Sequence, residues 1–154
     1  MSMGLILYCD GSVEPFNPGG VATYGVSAVE NGKEVDTIAE FLAEGPGVTN
    51  NQTEYLAINR AVQLAIWHYR LQELIDIRSD SQLAIRQLRG EYQVNAPLLR
   101  PLWEEIRELV KELRTVTFTW IPRLQNRRAD FLARKAYREH VTSHGTACVG
   151  WGMV

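Results

Sequence analysis

The chain has 154 residues, of which 45% are apolar and 22% are charged, and its formal net charge at pH 7 is −2. This length and composition are typical of one globular domain that buries about two-thirds of its unfolded surface. Because no apolar run approaches the roughly 18 residues of a membrane span and the N-terminus lacks the basic flank of a secretory signal, we expect a cytoplasmic monomer that does not enter a membrane.

The first half of the chain has the pattern of three antiparallel strands. The apolar run at residues 5–9 predicts a buried strand, and residues 21–29 predict a second. Asn31-Gly32 is a strong hairpin signal that leads into a third strand over residues 35–43. The first strand runs into Asp10-Gly11, a pair that normally makes a tight turn, yet a longer loop follows. We expect this strand to end at the aspartate.

Helices and strands then alternate. Thr49 and Gln52 fit a capping box, and apolar residues at helical spacing continue to about residue 69. The further predicted elements are a strand at 74–79, a short helix at 81–88, a helix from about residue 100, a strand at 115–121 and a helix at 127–139.

This order of elements predicts an α/β domain over residues 1–140. Its mixed sheet would have five strands, because the meander supplies three antiparallel strands and the helical crossovers place two later strands parallel to the first. Helices would flank the sheet. Residues 141–154 lack periodicity and are rich in glycine and threonine. We expect them to be a disordered tail or an additional edge strand.

Four acidic residues mark the ends of four predicted elements. Asp10 and Asp80 follow the first and fourth strands, while Glu54 and Asp130 fall in the first turns of two helices. Each has a structural explanation on its own: a loop contact for Asp10, a helix cap for Asp80, and a helix-dipole partner for the other two. Together they indicate a site, because ligands gather beyond the carboxyl ends of parallel strands.

A cluster of these acids would need a cation. Two unit charges about 4 Å apart repel by about 4 kcal/mol at an effective dielectric of about 20. Hard oxygen ligands without nearby histidine or cysteine indicate Mg²⁺ or Mn²⁺ rather than zinc. We therefore predict that Asp10 ends its strand in order to hold a metal ion.

Four segments in consistent order resemble the type 1 ribonucleases H. They are LYCDGS with NPGG, TNNQTEYLAI, RSDSQLAI and WIPRLQNRRADFLA, and each contains one of the four acids. The resemblance covers about residues 4–140 and implies a ribonuclease H-like fold. It also implies that Asp10, Glu54, Asp80 and Asp130 bind two Mg²⁺ ions, with Mn²⁺ as an alternative. The implied activity is hydrolysis of the RNA strand of RNA–DNA hybrids, which leaves 5′-phosphate and 3′-hydroxyl ends.

The resemblance further implies residues that contact the hybrid. Amides both donate and accept hydrogen bonds, which suits them to ribose 2′-hydroxyls and base edges in the minor groove. The matching amide residues are Asn17, Asn50, Asn51 and Gln82. Thr49 and Asn95 resemble a pocket for a phosphate of the DNA strand. The alternative for this set is a role in caps and turns.

Two departures from the family pattern resemble a compact, archaeal-type branch. Residues 90–100 replace the lysine-rich protrusion of many bacterial members without a lysine, so hybrid affinity would depend more on Arg86, Arg89 and the basic closing segment. A loop histidine before Asp130 is also missing, and Arg123 becomes the candidate phosphate contact and catalytic residue there. Because some members of that branch cut RNA–RNA duplexes, duplex RNA stays open as a second substrate.

Two alternatives to a hybrid ribonuclease stay open at this point. One is a catalytically weak module that binds hybrids or duplex RNA, and the other is a DNA nuclease of the same fold. The complete set of four acids argues against the first alternative. The amide residues around the acids argue against the second.

Overall fold

The computed structural model describes the backbone of residues 4–152 and the side chains of residues 4–143. Within that range the chain forms five strands, four α-helices and two short 3-10 helices, Val110–Glu112 and Arg123–Gln125. The strands and α-helices in chain order are β1 (Leu5–Glu14), β2 (Val21–Glu30), β3 (Lys33–Glu44), α1 (Asn50–His68), β4 (Ile75–Ser79), α2 (Gln82–Leu88), α3 (Arg100–Leu109), β5 (Val116–Trp120) and α4 (Arg127–Gly152). None of the described helices has the length and hydropathy needed to cross a membrane.

The strands form one mixed sheet in the order β3-β2-β1-β4-β5. β2 pairs antiparallel with both β1 and β3, whereas β4 lies parallel to β1 and β5 lies parallel to β4. Asn31 and Gly32 join β2 to β3 with positive φ angles of 52° and 77°, as a two-residue hairpin of this hand requires. The predicted fold class is confirmed.

The expectation that β1 ends at Asp10 was wrong, because the strand continues to Glu14. Its parallel pairing with β4 extends only as far as Tyr8 and Arg78, while its antiparallel pairing with β2 continues through Asp10 to the end of the strand. Gly11 lies directly against α1, because a Cβ there would lie 2.5 Å from the Thr53 carbonyl oxygen. The Asp-Gly pair is therefore a close contact within a strand and not a turn.

Two helices approach the sheet from opposite faces beside Asp10. α1 covers one face, where its Ile58 and Val62 are fully buried in the main core. Gly25, the register partner of Asp10 on β2, admits α4 on the other face, because a Cβ there would lie 2.3 Å from the Ala129 carbonyl oxygen. Both glycines thus bring a helix against the sheet at the same level.

Helix α4 continues through residues 141–152. This corrects the expected disordered tail or edge strand over residues 141–154, whose last two residues lie outside the described ones. The ring of His140 stacks on Phe41 of β3 with centroids 4.1 Å apart, which holds the helix where the extension begins. The Ser143 hydroxyl donates to carbonyls of the preceding turn, a contact compatible with helical backbone. The domain boundary at residue 140 stays a prediction.

Candidate active site

Three carboxylates from separate elements meet at one edge of the sheet. Asp10 comes from β1, Glu54 from α1 and Asp80 from the residue after β4, and each offers an oxygen within 4.8 Å of the others. Asp10 and Glu54 are buried, and Asp80 is half-buried. The parallel register of β1 and β4 brings Asp10 and Asp80 together, because each lies two residues beyond the last parallel pair, Tyr8 and Arg78.

Glu54 is held by the backbone of β1. Its Oε1 accepts a hydrogen bond of 2.8 Å from the Gly11 N–H. Thr49 caps α1 in the predicted capping box with Gln52, so the helix begins at Asn50 and Glu54 lies in its second turn. The expected place in the first turn was wrong. The contact with β1, rather than a helix dipole, fixes this carboxylate.

Asp80 does not cap the helix that follows it. The Ser81 side chain caps α2 by accepting a hydrogen bond of 3.2 Å from the Ala84 N–H. The Asp80 backbone carbonyl instead accepts a hydrogen bond of 3.2 Å from Trp120 Nε1 on β5. Its carboxylate is therefore left to face the other acids.

The three carboxylates cannot all ionise easily in the absence of a cation. Burial, reinforced by the charges of Glu54 and Asp80, raises the pKa of Asp10 far above its usual range. Burial and the Asp80 charge also raise the pKa of Glu54 to about 8. Burial raises the pKa of Asp80, and the Arg123 guanidinium opposes that rise. A hard divalent cation would remove this repulsion, so the donor set fits such an ion.

Asp130 lies at the rim of the same site. It belongs to the first turn of α4, as predicted, and lines the same cleft as the three inner acids, but it is not part of the group within 4.8 Å. Its carboxylate accepts a hydrogen bond of 3.1 Å from Arg134 Nε. Because both partners are partly exposed, such a pair stabilises by only about 0–1 kcal/mol. Asp130 can therefore exchange this partner for a ligand at low cost.

The acids line a cleft of about 510 Å³. The other predicted site residues that line it are Asn17, Asn50, Asn51, Gln82 and Arg123. Asn17 Oδ1 accepts a hydrogen bond of 3.0 Å from the Asn50 N–H, which ties the β1–β2 loop to the start of α1. The structure thus brings these side chains to the acids, and their roles in binding stay predictions.

Thr49 and Asn95 are absent from the described residues that line this cleft. The Thr49 hydroxyl accepts a hydrogen bond from the Gln52 N–H, which gives it the capping role that the sequence left as an alternative. Asn95 is exposed beside the buried Val94 in the segment between α2 and α3. A phosphate pocket formed by these two residues stays a prediction.

Asn126 belongs to the site although the sequence did not single it out. It directly precedes α4, is only 1% exposed, and donates a hydrogen bond of 2.9 Å from Nδ2 to the Cys9 carbonyl. An asparagine before a helix is typical of an N-cap, so its position in the sequence gave no reason to separate it from ordinary caps.

The mixed sheet and the carboxylate cluster at its edge define a ribonuclease H-like domain. Residues 10–136 match the family described as reverse transcriptase-like. Ribonuclease HI of Halobacterium salinarum is 40% identical over 88 residues, which cover 57% of this chain and 43% of that protein. The chain thus spans less than half the length of this curated relative.

Two solved structures agree over nearly the whole fold. The crystal structure of RNase H1 from Halobacterium salinarum has a TM-score of 0.79 and 32% identity, covering 88% of this chain and 98% of that one. LC11-RNase H1 in complex with an RNA/DNA hybrid has a TM-score of 0.80 and 30% identity, covering 89% and 99% respectively. This chain therefore belongs to the reverse transcriptase-like family and, within it, to the type 1 ribonucleases H.

Proposed function

We propose that this protein is an endoribonuclease that hydrolyses the RNA strand of RNA–DNA hybrids. The proposal is carried by the convergence of Asp10, Glu54 and Asp80 within 4.8 Å, in a cleft that is also lined by amide side chains. The similarity to LC11-RNase H1, whose structure contains an RNA/DNA hybrid, supports the same class of substrate. We further propose that the protein acts as a monomer in the cytoplasm.

The proposed cofactors are two Mg²⁺ ions, for which Mn²⁺ can substitute. Asp10, Glu54 and Asp80 would hold them, and Asp130 would complete the ligand set from the rim. When bound, such ions activate a water for attack on phosphorus and stabilise the leaving 3′-oxygen. The protein contributes fixed carboxylates, and because Asp10 and Glu54 are buried, their charges act more strongly than in bulk solvent.

The amide side chains would distinguish RNA from DNA. Asn17 Oδ1 already accepts the Asn50 N–H, so its amide N–H₂ group is left to donate to the substrate. Minor-groove base edges present acceptors, and the ribose 2′-hydroxyl both donates and accepts. Asn51 and Gln82 are exposed on the cleft and can read the same groove.

Arg123 would hold a phosphate beside the acids. Burial raises the pKa values of Glu54 and Asp80, and the charge of Arg123 opposes both rises, which places this guanidinium within electrostatic reach of the cluster. A guanidinium does not release its proton near neutral pH. We therefore propose an electrostatic role, in which its fork of N–H groups binds phosphate oxygens.

Cleavage of three matched duplexes tests this function. An RNA–DNA hybrid, an RNA–RNA duplex and a DNA–DNA duplex of one sequence are incubated with Mg²⁺, Mn²⁺ or EDTA. We expect metal-dependent cutting of the RNA strand in the hybrid, and the RNA–RNA arm measures whether duplex RNA is a second substrate. Asp80→Asn should abolish cutting, whereas Asp76→Asn, which lies on β4 outside the cleft, should retain it.

Each contrary result points to one alternative. Tight binding of the hybrid without cleavage would favour a hybrid-binding module. Cleavage of the DNA duplex in preference to the hybrid would favour a DNA nuclease of the same fold.

A further inference from the structure

Asn126 links β1 and α4, the two elements that carry Asp10 and Asp130. Its side-chain Nδ2 donates to the carbonyl of Cys9, the residue before Asp10, at 2.9 Å. Its own backbone carbonyl accepts a hydrogen bond of 3.1 Å from the Asp130 N–H. One buried residue therefore contacts the neighbour of Asp10 and the backbone of Asp130.

The same amide also reaches Asp80. Burial raises the pKa of Asp80, and a hydrogen bond from the Asn126 side chain opposes part of that rise. The amide carbonyl oxygen of Asn126 is buried and has no donor among the described residues. Its Nδ2 group donates to the Cys9 carbonyl, and the side chain lies close enough to the Asp80 carboxylate to oppose the rise of its pKa.

These contacts fall where the sheet itself stops joining the two aspartates. The parallel pairing of β1 with β4 extends only as far as Tyr8 and Arg78, two residues before Asp10 and Asp80. Beyond that point no ladder between the two strands fixes their separation. At the next level the amide of Asn126 holds the Cys9 carbonyl of β1 and ties this point of the strand to the start of α4.

We infer that Asn126 is a positioning residue, which sets the separation of Asp10, Asp80 and Asp130 for divalent cations. This inference rests on the proposed function, because it assumes that these acids are the metal ligands. Asn126 is only 1% exposed and is absent from the described residues that line the cleft, so it would act through the acids and not on the substrate. Partners that orient metal ligands in this way typically change metal affinity by about 10–100-fold when they are removed.

The test measures Mn²⁺ binding by calorimetry in protein without nucleic acid. Asn126→Leu keeps the size of the side chain and removes both N–H groups, and Asn126→Ala serves if the larger side chain disturbs the packing. We expect Mn²⁺ to bind about 10–100-fold more weakly to either variant. In cleavage assays at fixed Mn²⁺, kcat should fall while KM for the hybrid changes by less than about three-fold, because the substrate-facing amides stay in place.

Asn59→Ala is the matched control. Asn59 is also a buried asparagine, 4% exposed, but its side chain bonds to Gln63 within α1 and not to the acids. This control should lose stability in urea unfolding and keep wild-type Mn²⁺ affinity. A loss of affinity shared by Asn59→Ala would show that general destabilisation is the cause and would overturn the inference.

The outcomes separate this inference from the proposed function. If folded Asn126→Ala binds Mn²⁺ within about two-fold of wild type, and wild type still cuts the hybrid, the inference fails alone. If wild type neither binds Mn²⁺ nor cuts the hybrid, the proposed function fails and the inference fails with it.

Discussion

Two groups of charged side chains lie beside strands β1 and β4, and they differ in whether each charge has hydrogen-bond or ion-pair partners within the protein. In the first group, the Asp76 carboxylate accepts hydrogen bonds from Arg78 Nε at 2.8 Å and from the hydroxyls of Thr117 and Thr119 at 2.8 and 2.7 Å. Arg78 also donates to the Tyr8 hydroxyl. Every charge in this group has a partner within the protein, as stable folds require of half-buried ions.

The second group lies just beyond the point where the pairing of β1 with β4 ends, and it has too few partners. Asp10, Glu54 and Asp80 crowd within 4.8 Å, and the cation that opposes their charge, Arg123, is itself exposed to solvent. The contrast shows that the sheet can neutralise an aspartate where only stability matters. A carboxylate cluster with too few cationic partners destabilises the fold, which indicates that the cluster serves to bind a ligand.

Removing the central acid should give the largest effect. Asp10→Asn should lower cleavage of the hybrid by at least about 10³-fold, the scale of losing a central electrostatic stabiliser. In EDTA the same variant should unfold at equal or higher urea concentration than wild type, because one source of like-charge repulsion is gone. A marked loss of stability without metal would instead assign Asp10 a structural role.

The metal-free protein should lose stability as pH rises. Below about pH 4 these carboxyls are protonated in both states, whereas above it the unfolded chain releases protons that the buried carboxyls keep. The free energy of unfolding in EDTA should therefore fall, by on the order of 2–4 kcal/mol, through the ionisation of Glu54 near its pKa of about 8 and on to that of Asp10 near its pKa of about 10. Saturating Mn²⁺ should remove this slope, because it binds the ionised cluster of the folded state. A flat profile in EDTA would contradict the repulsion.

Arg123, the exposed cation beside the acids, should contribute to turnover and not to metal affinity. Arg123→Ala should lower kcat by about 10–100-fold, as expected when one charged contact to a phosphate is lost, and should leave Mn²⁺ affinity within about two-fold. Arg114→Ala, which removes an exposed arginine paired with Glu73, is the control for loss of charge and should cut normally. A large drop in Mn²⁺ affinity would count against the phosphate role of Arg123.

Asp76, whose charge has partners within the protein, should contribute to stability and not to cleavage, the opposite of the clustered acids. Asp76→Asn should cost about 1–3 kcal/mol of unfolding free energy, because it weakens hydrogen bonds to a charged acceptor, and should leave cleavage near wild type. Urea unfolding and the hybrid assay on one preparation measure both quantities. A loss of activity larger than the loss of folded protein would mean that the two groups are coupled.

The smallest change in function should come from Glu91, in the segment that replaces a basic protrusion. Arg86 and Arg89, both expected to support hybrid affinity, are paired with Glu91 at 3.2 and 2.8 Å. Glu91→Gln should remove the anionic partner of both guanidiniums, tighten hybrid binding by up to about five-fold and steepen its dependence on salt. Unchanged affinity and salt slope would place these arginines outside the hybrid interface.

The sequence predicted the element order because hydrophobic period and hairpin chemistry are local signals. Asn31-Gly32 and the capping box of Thr49 are both confirmed. The continuation of β1 through Asp10-Gly11 was not predictable, because aspartate and glycine are depleted in strands. Only the approach of α1 to Gly11 explains them.

The site was predictable to the extent that each acid belongs to a recognisable segment. The sequence could not show that Asp130 lies at the rim, or that Thr49 uses its hydroxyl as a cap, because both depend on how helices pack. Asn126 was missed for the same reason. An asparagine directly before a helix can be an exposed N-cap or a buried amide that joins β1 to α4, and the sequence does not distinguish the two.

The most direct test of the account is the chemistry of the cut ends. A hybrid with a labelled RNA strand is cleaved with Mg²⁺ in ¹⁸O-water, and the fragments are weighed by mass spectrometry. The account predicts RNA fragments with 3′-hydroxyl ends and 5′-phosphates that carry one ¹⁸O, and an intact DNA strand. Fragments ending in 2′,3′-cyclic phosphate, or a cut DNA strand, would contradict it.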